Sequence, residues 1–275
     1  MSRTSTTAGR VGAALAALLL LAGPASSAGG QTPGWPANGS PGSPFPADVN
    51  VHPMAQAYLP EGVIDPVALL GPPPAAESQA HRADRQTFLT TRRLRGTARW
   101  RQATEDDDLG AGAFRRFSCA AGAMILPRTM PATFRMMIRI DADVRRVSLP
   151  IKRHYSRLRP LMGNRLAACV PRADWMRTNS SYPSAHSMQG WAWALVLAEL
   201  NPSRADALLQ NGFAFGESRI ICGVHYASDV AAGRLLGAAL VSRLHAEPAF
   251  QADLAEAREE WSRGADRPAP IDCRR

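Results

Sequence analysis

Three short stretches of this 275-residue chain concentrate side chains that bind or transfer charge. The first, KRHYSRLRP, sets Lys152 and Arg159 seven residues apart. On a continuous helix that spacing is two turns and puts both cations on one face, with Pro160 stopping or kinking the element behind them. The second, SYPSAHS, leads directly into an apolar run. Pro183 and Ser184 mark a turn into a helix N-terminus, where free backbone N–H groups and the helix dipole attract an anion. Ser184 adds a hydroxyl there, and His186 an imidazole in the first turn. The third, SRIICGVHYASD, places Arg219 six residues before His225 and Asp229 four residues after it. A His–Asp pair at i, i+4 meets on one helical face, and the carboxylate then fixes the imidazole tautomer and leaves the other nitrogen as base, nucleophile or ligand.

Each stretch alone has a plainer reading: a solvated basic face, an N-cap beside a surface histidine, a structural His–Asp contact. Together they supply three cations, two histidines, one carboxylate and one serine, which suits a phosphate monoester dianion held without a metal. The ordered pattern, Lys152-x6-Arg159-Pro160, then Pro183-Ser184-Ala185-His186, then Ser218-Arg219-x5-His225-x3-Asp229, resembles the signature of the phosphatidic-acid phosphatase type 2 (PAP2) superfamily, which includes bacterial acid phosphatases and vanadium haloperoxidases. YLP…GPPP, the TARW…DDDL stretch, GWAWALVLAEL and AGR after Asp229 are similar to class A non-specific acid phosphatases, so the likeness runs from about Tyr58 to about Trp261. One position departs from it: Ala185 stands where the family usually has Gly, a change that is tolerable at φ < 0 and costly at φ > 0.

The resemblance implies His225 as a nucleophile that forms a phosphohistidine, with Asp229 orienting it. It implies Lys152, Arg159, Arg219, Ser184 and the Ala185 N–H as holders of the non-bridging oxygens, and His186 as the group that protonates the leaving alkoxide. It implies small phosphomonoester substrates, no metal, no cofactor, and a homodimer. The main rival within the resemblance is a vanadium-dependent haloperoxidase, in which His225 binds vanadate. A lipid-phosphate phosphatase and a catalytically silent phosphate-binding protein are the others.

The elements that must position these residues read as helices. Windows of helical length cover most of residues 77–263, alternating strand patterns are nearly absent, and no internal repeat is visible. The expected fold is all-α, a single-domain helical bundle of the acid phosphatase–haloperoxidase type over residues 58–263. The YLPEGVIDPVALLGPPP segment reads as an extended arm over the body. PATFRMMIRIDADVRRVSLPIKRHYSRLRP reads as two helices, punctuated by Pro131, Pro150 and Pro160. The acidic run Asp106–Asp108 reads as a solvated turn, because it lacks the alternating spacing of a calcium loop.

The N-terminus has the tripartite pattern of a secretory signal: Arg3 and Arg10 without acids, the apolar run VGAALAALLLLA, then small residues ending at Ala28. Residues 1–28 are therefore expected to be removed, residues 29–57 to form a Gly/Pro-rich leader, and residues 264–275 a tail, giving a periplasmic or secreted protein. No apolar run of membrane-spanning length follows, so no integral membrane segment is expected in the mature chain. The formal charge of +9 favours anionic partners, but no basic block with interleaved aromatics appears, so nucleic acid is not expected. The four cysteines allow two disulfides in an oxidising compartment, with three connectivities open. A Cys169–Cys222 bridge would tie two of the charged stretches together and leave Cys119 to pair with Cys273.

Overall fold

A computed structural model describes residues 55–263 together with Cys273, all within one compact unit. The expected signal segment, almost all of the leader, and the tail apart from Cys273 lie outside the described residues. Among the described residues there are ten α-helices and no strand, as expected for an all-α fold. They are α1 (Pro66–Leu70), α2 (Gln79–Thr91), α3 (Ala98–Glu105), α4 (Ala111–Ala121), α5 (Pro131–His154), α6 (Trp175–Thr178), α7 (Ala185–Leu200), α8 (Ala205–Cys222), α9 (Ala227–Leu244) and α10 (Pro248–Ser262).

The boundaries follow from side-chain capping. Asp65, Ser78 and Thr97 accept backbone N–H groups at the starts of α1, α2 and α3. Gly122 and Gly223 end α4 and α8 in the left-handed region, at φ +69° and +76°. The Gly223 turn aims the chain straight into His225. Val224 N and His225 N both donate to the Arg219 carbonyl, at 3.2 and 3.3 Å, so two residues of the third motif are tied through the backbone.

Helix α7 has no polar face. It is buried around most of its circumference, packed among α5, α8 and α9, as a predominantly apolar helix must be in water. Its Trp193 is fully buried beside Phe114 and Phe117, and the indole N–H donates to the Met137 carbonyl at 3.0 Å. Burial of such a ring stabilises by about 2–3 kcal/mol, and the hydrogen bond removes the penalty for its polar atom.

Two elements differ from the sequence expectation. Residues 131–154 form one helix that runs through Pro150. Pro150 is exposed, so the carbonyl that loses its N–H partner can turn to water, while Val147 and Ile151 keep the buried face in register. The YLP segment is an arm as expected, but Tyr58 and Leu59 are core residues, and the arm contains α1. Both carboxylate oxygens of buried Asp143 on α5 accept the backbone N–H groups of Tyr58 and Leu59, at 2.9 Å each, which fastens the arm.

Candidate active site

Helix α5 ends at His154, and residues 155–160 continue without helical structure, beginning with the extended Tyr155. Lys152 and Arg159 therefore do not share a helical face. The residue before a proline is pushed away from the helical region, and the chain turns back instead. The two cations meet through the segment before α7: Lys152 Nζ donates to the Ser180 carbonyl at 2.7 Å, and Arg159 Nε to the Asn179 carbonyl at 3.1 Å. A second Arg159 bond reaches Asn179 Oδ1 at 2.8 Å, and the guanidinium lies 5.0 Å from the Trp175 ring centroid.

Ser184 is the N-cap of α7, with its hydroxyl accepting from Ser187 N at 3.3 Å. Ala185 is the first helical residue, so its methyl sits on an ordinary right-handed backbone, and the departure from Gly carries no strain. The Ser184 N–H donates to the Asp229 carbonyl at 3.0 Å, joining the second motif to the third. His186 is buried in the first turn; its ring lies near-parallel to Phe215 with centroids 6.2 Å apart, and Nε2 lies 3.1 Å from the Asp107 carbonyl. A carbonyl only accepts, so that nitrogen carries the proton.

His225 precedes α9, and Asp229 sits in that helix's first turn, so the pair does not lie on a shared helical face. Asp229 Oδ2 is 3.7 Å from His225 Nδ1, whereas the Ser181 carbonyl is 2.6 Å from it. The nearest orienting group is thus a backbone carbonyl, with Asp229 behind it. Nδ1 must carry the proton it donates to Ser181, which leaves the Nε2 lone pair free to accept from Arg159 Nη1 at 3.1 Å.

The acidic run is not a solvated turn. Asp106 is fully buried, accepts the Ser218 hydroxyl at 2.5 Å and pairs with Arg116 at 3.1 Å. Asp107 pairs with Arg219 at 2.7 Å, and Asp108 accepts backbone N–H groups from Gly110 and Gly112. These carboxylates are consumed by cations and helix starts rather than by water.

The electrostatics of the cluster run in one direction. Burial, followed by Arg159, pulls Lys152 well below its ordinary range. Burial and then Arg219 lower Arg159 to about 10. Burial, with Arg159, Lys152 and Arg219 behind it, holds His225 well below the usual imidazole range, and burial with Arg219 holds His186 at about 3. Burial alone would raise Asp107, but Arg219, His186 and Arg159 outweigh it and keep its carboxyl below the usual range. Asp229 is raised to about 6 by burial, with Arg157 pulling against that. Buried cations that depress one another and two neighbouring imidazoles form a site whose free energy falls when an anion enters. Arg219 Nε, buried without a hydrogen-bond partner, is a donor such an anion can satisfy.

All eight residues singled out in the sequence thus belong to one connected cluster. Sequence reasoning missed Asn179, Ser181 and Trp175, whose parts are mainly those of backbone carbonyls and a ring face, and it missed Arg157 and Asp84. Arg157 donates to both Asp229 and Asp84. The RLRP run offered a signal for Arg157, a second arginine two residues from Arg159 in a non-helical stretch; nothing marked Asp84. Among the described residues no group of three or more His, Cys, Asp or Glu side chains is placed to hold a metal ion, and no helix is long and apolar enough to cross a membrane. A cavity of about 340 Å³ lined by Asn164, Arg165, Arg172 and Arg177 includes none of the clustered residues.

The chain matches the PAP2 superfamily over residues 136–248, a span that contains every clustered residue named from the sequence. It is similar to the non-specific acid phosphatase of Salmonella typhimurium, 39% identical over 206 residues that cover 74% of this chain and 82% of that protein. The non-specific acid phosphatase of Providencia stuartii is 36% identical, covering 78% of this chain and 88% of its own length. The acid phosphatase of Zymomonas mobilis is 37% identical, covering 71% and 75%.

Proposed function

The chain belongs to the PAP2 superfamily, alongside its bacterial acid phosphatases, and from that premise we propose that it is an exported acid phosphatase that hydrolyses phosphate monoesters through a phosphohistidine at His225, without a metal. The observation that carries the reading is the tautomer of His225. Its Nδ1–H is spent on the Ser181 carbonyl, and its Nε2 lone pair faces the Arg159 guanidinium, where a phosphoryl oxygen would bind.

The chemistry follows in two balanced steps. Lys152, Arg159 and Arg219, with the Ser184 hydroxyl and the Ala185 N–H, hold the non-bridging oxygens, and the planar forks of the two arginines suit paired oxygens. His225 Nε2 attacks phosphorus, the P–N bond forms, the bridging P–O bond breaks, and the alkoxide leaves with a proton from His186. His186 then takes a proton from water, whose oxygen bonds to phosphorus as the P–N bond breaks; its electron pair returns to Nε2, releasing phosphate and neutral His225. The cationic side chains supply the charge neutralisation that a metal would otherwise give. Burial and then Arg219 oppose a proton on His186, and the negative charge of a substrate would counter the second effect.

Export is supported by the N-terminal signal pattern and by the pairing of all four cysteines, Cys119 with Cys273 and Cys169 with Cys222. The decisive experiment is p-nitrophenyl phosphate hydrolysis in EDTA, combined with acid-free trapping and mass-spectrometric mapping of the phosphoenzyme. Phosphate on His225 is expected, and His225→Ala should lose turnover by at least about 10³-fold and form no phosphoenzyme. Turnover that disappears in EDTA and returns with a divalent metal would overturn the metal-free reading. Peroxide-dependent halide oxidation with vanadate, in place of hydrolysis, would favour the haloperoxidase.

A further inference from the structure

We infer that Arg157 is a positioning residue for His225, acting through Asp229 and Ser181; the inference rests on the phosphohistidine reading above. Arg157 lies in the turned-back stretch after α5, and its side chain is only 7% exposed. Its fork divides between two buried carboxylates. Nη1 donates to Asp229 Oδ1 at 2.6 Å and to Ser228 Oγ at 2.7 Å. Nη2 donates to Asp84 Oδ2 at 2.8 Å and lies 3.2 Å from His81 Nδ1. The guanidinium carbon sits 4.4 Å from the Tyr226 ring centroid.

These contacts fix the residues that follow the nucleophile. Asp84, reaching in from α2, also accepts Ser228 N at 2.9 Å and Ser228 Oγ at 2.5 Å. Asp229 accepts Tyr226 N at 2.7 Å through its other oxygen. The first turn of α9 is therefore clamped from behind by an Asp84–Arg157–Asp229 bridge. The Arg157 backbone acts on the other side: its carbonyl accepts Ser181 N at 2.9 Å, and the Ser181 carbonyl accepts His225 Nδ1–H at 2.6 Å. Both groups that face Nδ1, the Ser181 carbonyl and the Asp229 carboxylate, are thus held by one residue.

The residue type matters. A planar fork can reach two carboxylates on opposite sides, whereas a lysine ammonium on the same stem would serve as a point charge. The cation also offsets the Asp229 charge, so that Asp229 orients the imidazole without drawing a proton onto Nε2. The Arg157 side chain touches Asp84, Asp229, Ser228, His81 and the Tyr226 ring, so its charge is spent on the carboxylates behind the imidazole rather than on phosphate.

The test measures kcat, the rate of phosphoenzyme formation, and the inhibition constant of inorganic phosphate in Arg157→Gln, Arg157→Lys, Asp84→Asn, Asp229→Asn and the Arg157→Gln/Asp229→Asn double variant. Arg157→Gln is expected to lower phosphoenzyme formation by about 10²-fold, the scale of a misaligned attacking group, while the phosphate inhibition constant moves by less than about threefold. Arg157→Lys should recover part of that rate. Once Asp229 is neutral, adding Arg157→Gln should cost little more, because the two act as a unit. Losses that multiply in the double variant, or a phosphate inhibition constant that rises in step with the loss of kcat, would overturn the inference. Should Arg157→Gln fail to fold, Asp84→Asn decides: about a tenfold slower phosphoenzyme with unchanged phosphate inhibition supports the bridge, and an unaltered rate overturns it. Phosphohistidine mapping in the unaltered protein separates the two levels, since its absence refutes the parent reading whatever the variants do.

Discussion

At the scale of single residues, the site separates two imidazoles by what each ring nitrogen touches. His225 donates to one carbonyl and offers a lone pair to a guanidinium, while His186 donates to another carbonyl. The first arrangement suits the proposed nucleophile, the second the proposed proton carrier. A consequence for turnover is that His186→Ala should lose far less on an aryl phosphate than on an alkyl phosphate, because an aryl oxide leaves with little help; equal losses on both would remove His186 from the acid role. A consequence for stability comes from its lowered proton affinity. His186 is held at about 3 in the folded protein, by burial first and Arg219 second, against about 6.5 in the unfolded chain. Above pH 6.5 neither state binds the proton; as pH falls toward 3, only the unfolded chain does, so the folded state loses stability. By about pH 5 the loss amounts to about 2 kcal/mol. Asp229, raised to about 6 mainly by burial, acts in the opposite sense, gaining folded-state stability as pH falls from about 6 toward 3.8, but it is common to both proteins in a comparison. The thermal midpoint of His186→Gln should therefore fall less between pH 7 and pH 5 than that of the unaltered chain, and parallel curves would refute a buried neutral imidazole. That these side chains come together was legible because their types and order resemble the superfamily signature. Ser181 was not, since its contribution is a carbonyl that any residue could provide.

At the scale of elements, α7 packs closely against both α8 and α9, and the α7–α9 contact reaches the site. A Cβ on Gly233 would lie 2.4 Å from the Ser184 carbonyl, and one on Gly212 would lie 2.4 Å from the Ala194 Cβ. Both glycines set a helix-to-helix distance, but only Gly233 does so at the N-cap of α7, the turn proposed to bind phosphate. Gly233→Ala and Gly212→Ala should each destabilise by about 1–3 kcal/mol through overpacking. Only Gly233→Ala should also weaken inhibition by inorganic phosphate, because the cap must move to admit the methyl. Assayed well below their thermal midpoints, equal phosphate inhibition in the two variants would show that the cap and the crossing are independent. Most helices could be read from periodicity and capping residues. The exceptions have local causes. Pro150 suggested a break, yet its exposed position lets water replace the lost backbone bond, and helix α5 continues to His154. The spacing of Lys152 and Arg159 suggested one helical face, yet the chain leaves the helix between them and returns to the same carbonyl-bearing segment, Asn179–Ser180. The Asp106–Asp108 run suggested solvent because its partners, Arg116, Ser218 and Arg219, lie on other helices, beyond any local pattern.

At the scale of the whole molecule, two disulfides constrain regions of different importance. Cys119–Cys273 joins α4 to the C-terminal segment across 154 residues, and Cys169–Cys222 joins the loop after Pro160 to the end of α8 across 53. By loop-closure entropy the longer link is worth about 5 kcal/mol and the shorter about 4 kcal/mol. Stability alone would thus rank Cys119–Cys273 first. Function should reverse the order. Cys169 and Cys222 sit in a small secondary core with Leu161, Val170, Met176 and Val224, and Trp175 packs at its edge. That core lies under Arg159, whose guanidinium rests against Trp175 and Asn179, and under the Gly223 turn that delivers His225. Removing the bridge as Cys169→Ser/Cys222→Ser frees the 160–178 segment from α8 and lets Arg159 lose its backing. The expected outcome, measured below the thermal midpoint, is a KM for p-nitrophenyl phosphate raised by about tenfold, the equivalent of about 1.4 kcal/mol of lost cradle binding. Cys119→Ser/Cys273→Ser, measured in the same way, should change the thermal midpoint and leave KM within about twofold. If both pairs of substitutions shift only the thermal midpoint, the secondary core is rigid without its bridge, and Arg159 is held well enough by Asn179, Trp175 and the Val224 carbonyl.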